Sequence, residues 1–464
     1  MKVRQGTRAG GRTAGDNARS SHRATAMLCV IVGAAALIHL VATWPGMLVW
    51  DSIRQYGQAL SGHYDDWHPP AMTWLWRQAL RVRAGPPPML LLQVGLYWGG
   101  FGLLARAALY NGRPLSAAAI TIIALMPIWL VLVGTILKDS LMAGCLLMTS
   151  GLLAERDTIG WPRRSAIMLL LIAASALRFN AVAAVVPLGL AALPASGTDR
   201  RLRTVASAAL IGFASLLIIP IANRLLDARR TAVEQSLIVY DLAGITRFGG
   251  TSAFPPLPGV QDPVAVNAAC YTPVSWDRYA WWGPTPCAIQ FEAVRASFAR
   301  QRIEPTRWWL RQVAAHPAAY AEHRLAHYRR NIRLAVGGEL LPGLSFQSDP
   351  NPWELTTAPN ALTSETERVA ARLLATPIGW PATWIAIGLI ALFVWPRGRS
   401  GGIARPLLAS GLLYAASFLP LSVASEVRYH LWTMIAIALG VVCALGEAKG
   451  SAPSPRGLRR VAAE

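Results

Sequence analysis

The chain has 464 residues, 53% of them hydrophobic and 15% charged, with a mean hydropathy of +0.36. A soluble domain is nearer a quarter charged, so this composition excludes an ordinary soluble protein and points to a polytopic all-α membrane protein. The net charge of +20 is almost entirely arginine, with lysine only as Lys2, Lys138 and Lys449, and the arginines are scattered along the chain. That scatter, with many of them flanking apolar runs, argues against a nucleic-acid partner.

Residues 1–24 are basic and rich in Gly, Ser and Ala, and read as a disordered cytoplasmic tail. The apolar run that follows has no small-residue cleavage site, so it is expected to stay as the first membrane helix. Apolar runs then recur at 25–44, 89–110, 115–136, 139–154, 165–177, 180–194, 203–222, 377–395, 405–424 and 430–446. They predict roughly ten transmembrane helices, several of them short. Joining 165–177 to 180–194 would bury Arg178 and Asn180 in one helix, so two short helices meeting there are expected.

Arginines and lysines of 1–24, 155–164, 195–203, 396–405 and the 447–464 tail fall on one side. By the positive-inside rule that side is cytoplasmic, as are both termini. The transmembrane core then comprises 25–222 and 373–446. The periplasmic side of an inner membrane receives the first loop, 45–88, and a larger outer loop domain, 223–372, expected to mix helices with irregular segments. Two segments look interfacial. Trp67–Arg83 carries Trp74, Trp76, Arg77 and Arg81, and the stretch 308–333 carries Arg324, Arg329 and Arg330 near headgroups. Within the second, His316, His323 and His327 would share a face with Tyr320. A zinc site needs a further ligand there, and no carboxylate clearly supplies one.

Cys29, Cys145 and Cys443 fall in expected helices and read as packing residues. Cys270 and Cys287 form an even pair in the outer loop, flanked by Tyr271-Thr272-Pro273 and Pro284-Thr285-Pro286. They are expected to pair as a disulfide in an oxidising compartment.

Four polar clusters are expected at the outer membrane face. The first is Asp51 with Asp65, Asp66 and His68. The second is Lys138-Asp139, the third Arg178 with Asn180, and the fourth Glu426, Arg428 and Tyr429. Each has a plainer reading. Asp51 can cap a helix, Asp65 and Asp66 suit a turn, Lys138 can snorkel, and Arg428 can pair with its neighbour Glu426. Together, a carboxylate that accepts a hydroxyl proton and cations that hold a phosphate suit sugar transfer from a lipid phosphate. The carboxylates leave room for a divalent cation, and no cofactor is otherwise implied.

The chain here resembles the GT-C class of integral-membrane glycosyltransferases, which includes protein O-mannosyltransferases and the lipid A aminoarabinose transferase. The resemblance lies in Asp51 soon after the first helix, the His68-Pro69-Pro70 segment, the many helices, the large outer loop and the late Arg428-Tyr429 element. It implies a GT-C-like fold and a polyprenyl-phosphate-linked sugar donor. It implies a glycan, lipid or protein acceptor, Asp51 as general base, and Lys138, Arg178 and Arg428 as phosphate ligands. Two other readings stand beside it: a transporter or flippase of lipid-linked sugars, and a glycan polymerase or ligase.

Overall fold

The computed structural model describes residues 14–155, 160–193, 200–282, 287–334, 347–357, 359–394 and 402–449. The far ends of both basic tails and parts of the expected cytoplasmic turns lie outside them. The described chain is helical, with isolated β-bridges and no strand. The first part runs through α1 (Ala14–Thr43), α2 (Trp50–Ser61), α3 (Ala71–Ala79), α4 (Pro87–Tyr110), α5 (Pro114–Ile123), α6 (Pro127–Gly134), α7 (Lys138–Ala154), α8 (Trp161–Ser175), α9 (Val182–Ala191) and α10 (Arg200–Leu225). The region expected as the outer loop domain, called the outer domain below, holds α11 (Glu234–Gly249), α12 (Pro263–Cys270), α13 (Phe291–Arg300), α14 (Pro305–Ala315), α15 (Pro317–Asn331) and α16 (Ala361–Leu374). The chain ends with α17 (Pro381–Val394), α18 (Ala404–Leu421) and α19 (Leu431–Lys449). Proline opens many of these helices, including α4, α5, α6, α12, α14 and α15, where its missing N–H would have no intrahelical partner anyway.

Among the described residues, five segments are long and apolar enough to cross a membrane: His22–Thr43, Pro87–Tyr110, Arg201–Leu225, Ala404–Leu421 and Val427–Ala448. The chain is therefore a helical, multi-pass membrane protein. The expected single span at 115–136 is broken into α5 and α6, bent by 56°. Pro127 supplies the cause: it cannot continue the hydrogen-bond ladder, and Met126 before it is extended at φ −58° and ψ 116°. The remaining expected spans form shorter helices, such as α8 with 15 residues and α9 with 10. At 1.5 Å per residue α9 is about 15 Å long, half of a bilayer's apolar core. The two helices do meet around Arg178–Asn180, as expected. Helix α1 begins at Ala14, so part of the tail expected to be disordered is helical.

The membrane body centres on α7, which is buried along most of its length against α4. Small residues make the approach possible. A Cβ on Gly100 would lie 2.7 Å from the Leu147 backbone, and one on Gly151 would lie 2.7 Å from Leu103. The two ends of α7 differ in chemistry. Its first residue, Lys138, faces the site described below with Asp139 buried beside it, while past its far end Glu155 pairs with Arg106 and Arg163.

The outer domain has a core of its own around α11, with Val239, Tyr240, Leu242, Ile245, Phe291, Val294 and Phe298 buried together. Cys270 and Cys287 form the expected disulfide at its edge. The expected surface helix at 308–333 is two helices, broken at His316-Pro317. Helix α15 turns inward: His323, Arg324 and His327 are buried. Arg324 pairs with Asp241 at 2.6 Å and donates to the Ser422 carbonyl at 2.7 Å, so it holds the domain together and does not reach headgroups. In the first loop Trp76 of α3 is likewise buried, with its indole N–H on the Gly85 carbonyl, while Trp74 stays exposed.

Candidate active site

Asp51 lies in the first turn of α2, but it does not cap that helix. The cap position is Val49, and Ser52 closes the box with it. The Trp50 N–H donates to Asp349 Oδ2 at 2.9 Å, and Ser348 and Asp349 also bond both backbone groups of Leu48. A carboxylate from 299 residues away thus satisfies the helix start. The Asp51 side chain is left free to turn elsewhere.

Lys138 arrives beside it through a short backbone bridge. Met47 pairs with the 134–136 segment, Ile136 N–H donating to the Met47 carbonyl at 2.9 Å. Buried Gln93 then fixes the turn into α7, donating to the Val133 and Thr135 carbonyls and accepting from the Leu137 N–H. The result places Lys138 Nζ 2.9 Å from Asp51 Oδ2 and 3.2 Å from His68 Nδ1. Arg428, on the short 3₁₀ turn before α19, donates to the same Asp51 Oδ2 at 3.0 Å and to Glu426 Oε1 at 3.0 Å. The Tyr429 hydroxyl donates to Glu426 at 3.4 Å.

Beside this centre, Arg178 pairs with buried Asp139 and donates to Asn180 Oδ1 at 3.3 Å. Its guanidinium lies 4.7 Å from the Tyr429 ring centroid and 5.6 Å from that of Phe418. Asn180 in turn donates to Ser417 Oγ at 2.9 Å. All four clusters expected from the sequence therefore meet.

They meet at a cavity of about 1670 Å³. Asp51, Lys138, Arg178 and Arg428 form its charged wall. Leu216 and Ile219 of α10 with Phe418 and Leu421 of α18 form an apolar wall, and Trp67, Trp276, Trp281 and Trp282 an aromatic one. Asp66, His68, Asn180, Glu426 and Tyr429 also line it. Asp65 and Asp139 do not. Asp65 pairs with Arg54 at 2.5 Å and accepts the Trp67 N–H, which fixes the turn ahead of His68. Asp139 is sealed behind Lys138 as the counter-charge of Arg178. Asp66 also binds the Thr231 N–H and hydroxyl, at 2.6 and 2.5 Å, tying the first loop to the start of the outer domain.

The electrostatics follow from this arrangement. Burial acts to raise the Asp51 pKa, but Arg428 and Lys138 outweigh it and hold the carboxyl well below its usual range. Burial and adjacent Lys138 push His68 down to about 3. The imidazole is thus neutral near pH 7 and can accept from Lys138 through Nδ1.

Sequence reasoning missed Asp349, which nothing nearby marks, and Asp277, which also lines the cavity. A signal for Asp277 did exist: a carboxylate among Trp276, Trp281 and Trp282, bracketed by the two outer-loop cysteines. The His316, His323 and His327 set does not converge. His323 lies 3.2 Å from Asp241, and His327 Nδ1 lies 2.8 Å from the Pro273 carbonyl. Among the described residues no group of three or more His, Cys, Asp or Glu side chains is arranged to hold a metal ion. No protein-family model, curated protein or solved structure matches the chain.

Proposed function

We propose that the chain is a GT-C-type glycosyltransferase of the inner membrane. It moves a sugar from a polyprenyl-phosphate donor to an acceptor hydroxyl on a glycan, lipid or protein at the periplasmic face. In this reading α7, α8, α9 and α17 join the five long helices and the α5–α6 pair in a ten-span body, with both termini cytoplasmic. The observation that carries it is Asp51 held between Lys138 and Arg428, at the wall of a cavity that also has apolar and aromatic sides. A lipid-linked sugar phosphate has the same three parts: an isoprenoid tail, an anion and a ring.

At rest the two cations keep Asp51 a weak base. A donor phosphate entering between Lys138 and Arg428 draws on the same N–H groups, so Asp51 regains basic strength as the substrate binds. The acceptor hydroxyl passes its proton to Asp51 while its oxygen attacks the anomeric carbon. The electron pair of the bond to phosphate leaves with the phosphate oxygen, whose charge Lys138 and Arg428 stabilise. Attack from the opposite face inverts the anomeric configuration. Polyprenyl phosphate departs, and Asp51 releases its proton to water.

Mass spectrometry of lipid-linked sugars tests this in cells lacking the protein, complemented with wild type or with Asp51→Asn. The expected result is a polyprenyl-phosphate monosaccharide that accumulates and is cleared by wild type alone. Clearance by Asp51→Asn removes Asp51 as the base, and absence of any accumulating species removes the transferase.

A further inference from the structure

The aromatic side of the cavity is built from two loops. Trp276, Trp281 and Trp282 lie in the segment that the Cys270–Cys287 disulfide closes, and Trp67 comes from the first loop. The Trp67 ring centroid is 5.4 Å from that of Trp281 and 5.5 Å from that of Trp282, and the latter two rings meet edge to face at 4.4 Å. Trp276 is buried beneath them. Trp281 and Trp282 keep 53% and 44% of their surface exposed, and both line the cavity.

Asp277 sits beside these rings, half-buried, and its backbone N–H donates to Ser275 Oγ at 3.5 Å. Among the described residues no cation lies within ion-pair distance of it. Burial raises its pKa, and the Glu426 and Asp51 carboxylates add to that shift. The segment is also tied to the charged wall. Ser275 bridges Ala424, and the Trp276 N–H donates to the Val423 carbonyl at 2.9 Å, a few residues before Glu426 and Arg428. The aromatic surface and Arg428 therefore share one backbone frame.

Exposed tryptophans on a membrane protein usually sit in the headgroup belt. These two turn toward a cavity that also holds Lys138 and Asp51, next to a carboxylate without a counter-charge, and such a carboxylate is costly against lipid. A pyranose ring has the complementary surface: an apolar C–H face for an indole and a rim of hydroxyl donors for a carboxylate.

We propose that Trp281, Trp282 and Asp277 form a subsite for a pyranose ring, with the ring stacked on the indoles and its hydroxyls donating to the carboxylate. This deepens the transferase reading and rests on it only for the role of the bound sugar. The test is saturation-transfer NMR on the full-length protein in nanodiscs, with methyl glycosides of glucose, mannose, galactose and xylose as probes. Saturation is expected to reach the ring C–H protons of at least one probe, and to fall about fivefold or more in W281A/W282A and in Asp277→Asn. The conservative W281F/W282F variant, which keeps ring faces, should retain part of the signal and guards against loss through misfolding. No transfer to any probe overturns the proposal, as does a signal that survives W281A/W282A. Displacement of the probe by a polyprenyl-phosphate monosaccharide assigns the subsite to the donor sugar, and joint occupancy assigns it to the acceptor. Sugar transfer is assayed separately on wild type. Probe binding without transfer leaves the subsite standing and removes the transferase, whereas transfer without probe binding removes the subsite alone.

Discussion

Asp51→Asn separates the two roles that the geometry gives this carboxylate. Asp51 Oδ2 accepts from Lys138 at 2.9 Å and from Arg428 at 3.0 Å. Hydrogen bonds to charged groups contribute about 1.5–3 kcal/mol each. An asparagine is isosteric but brings no charge, so an incoming phosphate no longer competes with a resident anion. Transfer of about one such bond's strength to the phosphate tightens binding about 10- to 100-fold. Loss of the base lowers turnover by about 10²- to 10⁴-fold. The assay titrates polyprenyl phosphate into nanodisc-embedded protein by native mass spectrometry and follows turnover of the sugar-charged donor in parallel. Lys138→Met supplies the opposite arm and should weaken phosphate binding. The expected signature is thus tighter binding with slower turnover in Asp51→Asn. Unchanged or weaker phosphate binding in that variant refutes the exchange, because Asp51 would then not hold the cations that the phosphate needs.

Two further predictions concern the outer domain. His327 is buried and held at about 3, against 6.5 for an unperturbed imidazole. Burial disfavours its charged form, so the folded state refuses a proton that the unfolded chain accepts. The stability it contributes is full above pH 6.5 and falls as pH drops toward 3, by about 2 kcal/mol between pH 6.5 and 5. Thermal unfolding across this range should show the loss, and His327→Gln should reduce it; an unaltered slope excludes this histidine as a cause. The second prediction concerns Asp241 and Arg324, paired at 2.6 Å with side chains 0% and 4% exposed. Asp241→Asn leaves a buried guanidinium without its counter-charge and should cost about 3–5 kcal/mol. Adding Arg324→Met should recover much of that loss, and strictly additive losses in the double variant would show that the pair is not coupled.

The charged residues of the site were legible because charge at a membrane edge is expensive and so stands out against apolar runs. Asp51, Lys138, Arg178 and Arg428 each carried that signal. What each does was less legible, because it depends on partners distant in sequence. Asp65 and Asp139 look equivalent to Asp51 in the chain, yet each is consumed by an arginine, Arg54 and Arg178 respectively. Helix boundaries were less legible for a different reason. Hydropathy registers apolar length but not the break at Met126-Pro127, nor the shortness of α8 and α9. In the outer domain the alternation of His, Arg and Tyr in α15 resembles a surface helix. Its polar groups are buried because Asp241 and the Ser422 carbonyl receive Arg324.

The convergence of the site is set by uncharged residues that no charge pattern exposes. Gln93 spends both ends of its amide on the 133–137 backbone and so aims Lys138. Asn331 does the same for Arg428. Its Nδ2 donates to the Ala424 carbonyl at 3.1 Å and its Oδ1 lies 2.6 Å from His430 Nε2, so it holds the chain on both sides of the arginine. Neither amide lines the cavity. An Asn or Gln inside an apolar or mixed segment reads as an isolated polar residue until its backbone partners are known. Buried amides of this kind cost free energy unless every hydrogen bond is made. Here both work as rigid struts, each fixing the cation that closes on Asp51 from opposite directions along the chain.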